Sequence, residues 1–126
     1  MAIEQDAVFA AALSDLLRTL VPWEDQHMSE TPRRVLKWLS EYSYDPGTEP
    51  DLGPVFEERY SNLVLVDKLD FTSLCAHHML PFRGKAAIGY IPGGRVVGLS
   101  KLARVLEFYA KRITIQERIT DQVADF

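Results

Sequence analysis

Apolar and polar positions alternate with a helical period over the first forty residues. Phe9, Leu13, Leu16, Leu17 and Leu20 recur at steps of three and four, with Asp6, Asp15 and Arg18 between them. This predicts an amphipathic helix over 4–20, with Pro22 just past its end. Residues 21–30 form a polar link. A second helix is expected from Thr31, which can cap it. Pro32 suits the first helical position, where its missing N–H would be unpaired anyway. Val35, Leu36, Leu39 and Tyr42 make its apolar face. Residues 45–54 hold Pro46, Gly47, Pro50, Gly53 and Pro54 and read as a loop.

The period then changes. Residues 63–71 are rich in branched apolar side chains, as a strand requires. If the strand stays extended to Cys75, Leu69, Phe71, Ser73 and Cys75 share one face. A second strand is expected over 85–91, a turn at Pro92-Gly93-Gly94-Arg95, and extended chain over 96–99. A helix follows over 100–112, with Ser100 as N-cap and Leu102, Val105, Leu106, Tyr109 and Ile113 as its stripe. Thr114 and Glu117 have capping-box spacing, so another helix should start there. The reading is an α+β chain: a helical arm and linker (1–54), then a strand-and-helix segment (55–126).

Composition narrows the function classes. At 126 residues, 47% hydrophobic and 25% charged, the chain suits one globular unit. A net charge of −4 gives no support for a nucleic-acid partner. No stretch has the apolar length of a membrane span, and no basic-then-apolar leader is expected. The single cysteine excludes an internal disulfide and fits a reducing cytoplasm.

Candidate chemistry concentrates in Phe71–Phe82, which holds Cys75, His77 and His78. Thiolate and imidazole are preferred zinc donors, and Cys75 and His78 stand in C-x-x-H spacing. Two ligands do not close a zinc site, and a buried free cysteine followed by polar loop residues is the plain alternative. His27 lies in the polar link and reads as solvated. Two basic groups stand near helix starts. Arg33, Arg34 and Lys37 form either a solvated face or an anion seat on the second helix. Gly98-Leu99-Ser100-Lys101, with Arg104 one turn on, has the makings of a phosphate site; a capped helix with exposed basic residues is the alternative.

Taken together, several motifs resemble the GTP cyclohydrolase I family, in order along the chain. They are His77-His78-Met79-Leu80-Pro81-Phe82, Gly84-Lys85-Ala86, Tyr90-Ile91-Pro92, Gly98-Leu99-Ser100-Lys101-Leu102-Ala103-Arg104 and Gln116-Glu117-Arg118-Ile119-Thr120, with Thr31-Pro32-Arg33-Arg34-Val35-Leu36-Lys37 upstream. The resemblance implies conversion of GTP and water to 7,8-dihydroneopterin triphosphate and formate, the first step of pterin and folate synthesis. It implies Zn2+ held by Cys75 and His78, activating the water that attacks C8 of guanine. His77 is then the acid/base group. Glu117, beside Gln116, anchors guanine through its N1–H and amine. Ser100, Lys101 and Arg104, with Arg34 and Lys37, are expected to bind ribose and triphosphate, Ser100 with a catalytic part.

The implied fold is the tunnelling fold, a homo-oligomer (a decamer in the family) with GTP sites between subunits. The chain departs from the family in two places. Ala76 stands where an acidic residue is common. The family's last two strands are expected to be missing, and with them a second cysteine (the third zinc ligand), a further catalytic histidine and a phosphate-binding arginine. An alternative stays open: an inactive short relative or fragment that binds a guanine nucleotide or a partner chain.

Overall fold

The computed structural model describes residues 2–21, 25–43 and 47–126. The chain forms two compact units, Met1–Glu41 and Tyr42–Phe126. In the first unit, α1 (Ala2–Leu20) and α2 (Thr31–Ser40) pack on each other, with a single 3-10 turn at Gln26–Met28 between them in sequence. Phe9, Leu13 and Leu17 are half-buried, whereas Leu16 and Leu20 are exposed. One partner helix covers one i, i+4 row, so the buried stripe is narrower than the apolar one. Thr31 does not cap α2. Glu30 occupies the cap position without a side-chain cap, and its carboxylate accepts from Arg33 Nε at 2.7 Å instead. Pro22 and Pro46, which the sequence reading used as breakers, lie outside the described residues.

In the second unit, β1 (Val55–Glu57) pairs antiparallel with β4 (Arg95–Val97), Val55 opposite Val97. A larger sheet has the order β3-β2-β5. Its long strands, β2 (Val64–Cys75) and β3 (Pro81–Tyr90), are antiparallel, with Val64 opposite Tyr90 and Leu74 opposite Pro81. A bulge between Val66 and Leu69, with Lys68 at φ 58°, resets the alternation so that Leu69 and Phe71 point to the core. The short β5 (Ile113–Thr114) runs parallel to the end of β2, pairing Leu74 with Ile113 and Cys75 with Thr114.

Two helices, α3 (Leu99–Ala110) and α4 (Gln116–Asp125), cover one face of this sheet. Leu106, Ala110 and Ile119 form the centre, packed by Leu69, Phe71, Phe82, Ala86 and Ile88 from the strands. Gly84 lies opposite Phe71, and a Cβ there would stand 2.6 Å from the Phe71 ring. Glycine at this position lets the ring lie across the sheet.

Three local expectations are corrected. β3 begins at Pro81, four residues before the expected start, because Phe82 and Gly84 already alternate inward against Arg83 and Lys85. Ser100 is inside α3; Gly98 takes the cap position. Thr114 caps nothing: its backbone belongs to β5, Ile115 precedes α4, and the Thr114 hydroxyl is buried without a partner among the described residues.

Candidate functional site

The thiol–imidazole cluster is built by a tight reversal between β2 and β3. Cys75 is the last residue of β2, and its N–H donates to Leu80 O at 2.9 Å. Met79 N–H donates back to Cys75 O at 2.8 Å. Met79 closes this loop at φ 55°, a left-handed conformation uncommon for a residue with a side chain. The folded-back chain brings both imidazoles to the sulfur. Cys75 Sγ lies 3.7 Å from His77 Nδ1 and 3.8 Å from His78 Nδ1. Hydrogen bonds from the His78 side chain, then from the backbone of His77 and His78 and the His77 ring, hold the Cys75 thiol down at about 6. Both histidines are exposed and the sulfur is half-exposed, so the cluster is open to solvent.

This geometry fits part of a zinc site. With bonds of roughly 2.3 Å to sulfur and 2.0 Å to nitrogen, two tetrahedral ligands stand about 3.5 Å apart. The separations of 3.7 Å to His77 Nδ1 and 3.8 Å to His78 Nδ1 are both close to that edge. Among the described residues, no group of three or more His, Cys, Asp or Glu side chains is arranged to hold a metal. If a zinc bound here, Cys75 and His78 would be two of its four donors, with the Cys75 thiol already held low.

Gln116 and Glu117 open α4, both exposed. The parallel ladder places them: Cys75 pairs with Thr114, and Ala76 N–H donates to Thr114 O at 3.0 Å. The start of α4 is therefore at the same end of the sheet as the cysteine. No local signal in the sequence announced this neighbourhood, which depends on two residues of strand.

Ser100, Lys101 and Arg104 are gathered on the first turns of α3. Ser100 and Arg104 are exposed and Lys101 is half-buried. This cluster stands at the other end of the unit. The C-terminal end of α3 leads through Arg112, whose carbonyl accepts from Leu74 N–H at 3.3 Å, next to Cys75. The N-terminal end follows β4, where Val97 N–H donates to Tyr90 Oη, opposite Val64. The helix between has 12 residues, a span of about 18 Å.

Arg34 and Lys37 are exposed, one turn apart on α2 in the first unit. Glu30 pairs with Arg33 and with neither of them. His27 is exposed in the 3-10 turn, where Asp25 accepts from its backbone N–H.

An α+β unit with a thiolate–imidazole pair at one end and a basic helix start at the other has clear relatives. The profile of the GTP cyclohydrolase I family matches residues 9–126. GTP cyclohydrolase 1 of Wolinella succinogenes is 43% identical over 122 residues, covering 90% of this chain and 65% of its own length. The Mycobacterium avium GTP cyclohydrolase 1 is 45% identical over 120 residues, covering 91% of this chain and 59% of its own. That of Brucella canis is 48% identical over 118 residues, covering 86% and 55%. The chain belongs to the GTP cyclohydrolase I family, and it spans between 55% and 65% of the length of these relatives.

Proposed function

We propose that this chain acts in the zinc-dependent conversion of GTP and water to 7,8-dihydroneopterin triphosphate and formate. The observation that carries the reading is the Cys75–His77–His78 cluster, in which two imidazole nitrogens lie within 3.8 Å of one sulfur. Cys75 and His78 would hold zinc, which when bound supplies an activated water at neutral pH. His77, exposed beside the same sulfur, would move a proton at the opening imidazole ring of the purine. Glu117 would orient guanine, since a carboxylate accepts from N1–H and the exocyclic amine together. Gln116 adjoins it. Ser100, Lys101 and Arg104, with Arg34 and Lys37 of the helical arm (1–54), would take the ribose and triphosphate.

The distribution of these groups supports a homo-oligomer of the tunnelling-fold type. Within one copy, the Cys75 and Lys101 ends are separated by the length of α3, so one nucleotide reaches both kinds of group most readily between copies. The outer edge of β3, unpaired among the described residues, is a strand edge that a further strand can cover. The single cysteine supports a cytoplasmic setting. No described helix is long and apolar enough to cross a membrane.

The alternative, a chain that binds a guanine nucleotide or partner without turning it over, is favoured by one observation: the described residues hold no three-ligand metal group. Turnover separates the two. The purified chain is incubated with GTP and zinc and assayed for formate and pterin. Product that disappears in Cys75→Ala supports the enzyme; bound GTP without product supports the binding reading.

A further inference from the structure

We propose that Gly53 is a positioning residue for the nucleotide's phosphate chain, acting through Lys101. The inference rests on the phosphate-binding reading of α3 above.

The ladder between β1 and β4 brings the two residues together. Val55 pairs with Val97, and the strands run antiparallel. Stepping two residues out from that pair along both strands places Gly53 across from Leu99, at the start of α3. Pro50 is buried and Leu52 half-buried, which anchors the loop leading into β1. Asp51 Oδ1 accepts from Gly53 N–H at 2.7 Å, closing a tight Asx turn. Gly53 adopts φ +60°, which glycine enters without the usual steric cost.

The Lys101 side chain lies over this turn. A Cβ on Gly53 would stand 2.7 Å from Lys101 Nζ and 3.2 Å from Cε. Any side chain at 53 therefore displaces the ammonium. Lys101 Nζ has no hydrogen-bond or ion-pair partner among the described residues. Its place is set by shape alone, with the bare backbone of Gly53 as one wall. That leaves an ammonium in the first turn of α3, where a polyphosphate is favoured by charge and helix dipole together. The crowded atom is the far end of a flexible side chain, so the displacement costs the fold little and falls on the ligand.

The test is equilibrium binding of GTP, guanosine and inorganic triphosphate to the full chain and its variants. Gly53→Asn is the informative substitution, because asparagine tolerates the left-handed backbone while adding the obstructing Cβ. Gly53→Ala adds backbone strain and serves as comparison. Gly53→Asn is expected to weaken GTP and inorganic triphosphate alike, on the order of 10-fold, as loss of a charge-assisted contact does. Guanosine binding and melting temperature should stay unchanged. In a Lys101→Gln background, Gly53→Asn should have no further effect.

Equal weakening of guanosine, or an undiminished effect in the Lys101→Gln background, assigns Gly53 a general structural role and overturns the proposal. Unchanged triphosphate binding in Gly53→Asn overturns it as well. If the unsubstituted chain binds neither GTP nor inorganic triphosphate, the functional reading falls and takes the Gly53 role with it. That outcome is distinct from loss of the Gly53 effect alone.

Discussion

Cys75 and Thr114 lie side by side in the two-residue parallel ladder, where the reversal carrying the thiol meets the segment leading into α4. Ser73 Oγ and Leu74 N–H both donate to Arg112 O just before it, at 3.1 and 3.3 Å. Arg112 is itself fixed. Its Nε–H donates to Phe108 O at 3.2 Å, and its guanidinium lies 4.6 and 4.8 Å from the Phe108 and Tyr109 ring centres. This junction ties a candidate metal ligand to a candidate base-recognition residue.

Ser73→Ala tests the junction. Ser73 is fully buried, and removing its hydroxyl deletes a donor to Arg112 O. The carbonyl keeps Leu74 N–H, so the cost should be limited to about 1 kcal/mol. Chemical denaturation measures it. A loss above roughly 3 kcal/mol would mean that the whole junction opens.

Glu117→Ala separates recognition from folding. Glu117 is exposed, and α4 has no side-chain cap. The fold should lose no more than about 0.5 kcal/mol. GTP affinity should fall by at least about 10-fold, because a charged acceptor for two guanine donors is removed. Calorimetric titration beside a thermal melt reads both. Intact binding would remove Glu117 from the site.

Met79 offers a backbone test of the cluster. Met79→Ile places a β-branched residue at φ 55° and should cost about 1–2 kcal/mol, together with zinc affinity. Met79→Gly should be tolerated in stability, since glycine enters this region freely. Zinc titration of both variants checks the pair. Equal zinc affinity in Met79→Ile and the unsubstituted chain would show that the turn does not set the ligand geometry.

Cys75→Ala should abolish zinc retention, measured as metal per chain after desalting. In the unsubstituted chain, zinc should slow alkylation of Cys75, the sole thiol. Full zinc occupancy in Cys75→Ala would remove Cys75 as a ligand.

The parts of the fold legible in the sequence were those written in local periodicity. Of the expected series Leu69, Phe71, Ser73 and Cys75, the first two pack on the core as alternation requires; beyond them alternation lapses, and Leu74 on the other parity is fully buried where β5 and β3 flank it. The stripe of α3 was readable from its helical period, with Leu102, Val105 and Leu106 buried. The short strands were not. β5 is two residues long, so Ile113 looked like one more position on the α3 stripe and Thr114 like a cap. Spacing alone produces a capping-box pattern, and here the sheet claims Thr114. β1 is three exposed residues after a Pro/Gly loop, too short for any period. The site divides in the same way. Cys75, His77 and His78 are close in sequence and were found together. The approach of Gln116 and Glu117 to Cys75 and the seat of Lys101 on Gly53 depend on strand pairing between distant segments.

The 12 residues of α3 that hold the two ends of the unit apart carry a genetic consequence. On the between-copies reading, a copy spoiled at Cys75 still presents a sound Lys101 end, and a copy spoiled at Lys101 still presents a sound Cys75 end. Two individually inactive variants, mixed before assembly, would rescue each other at a fraction of their shared interfaces, whereas two lesions at the same end would not.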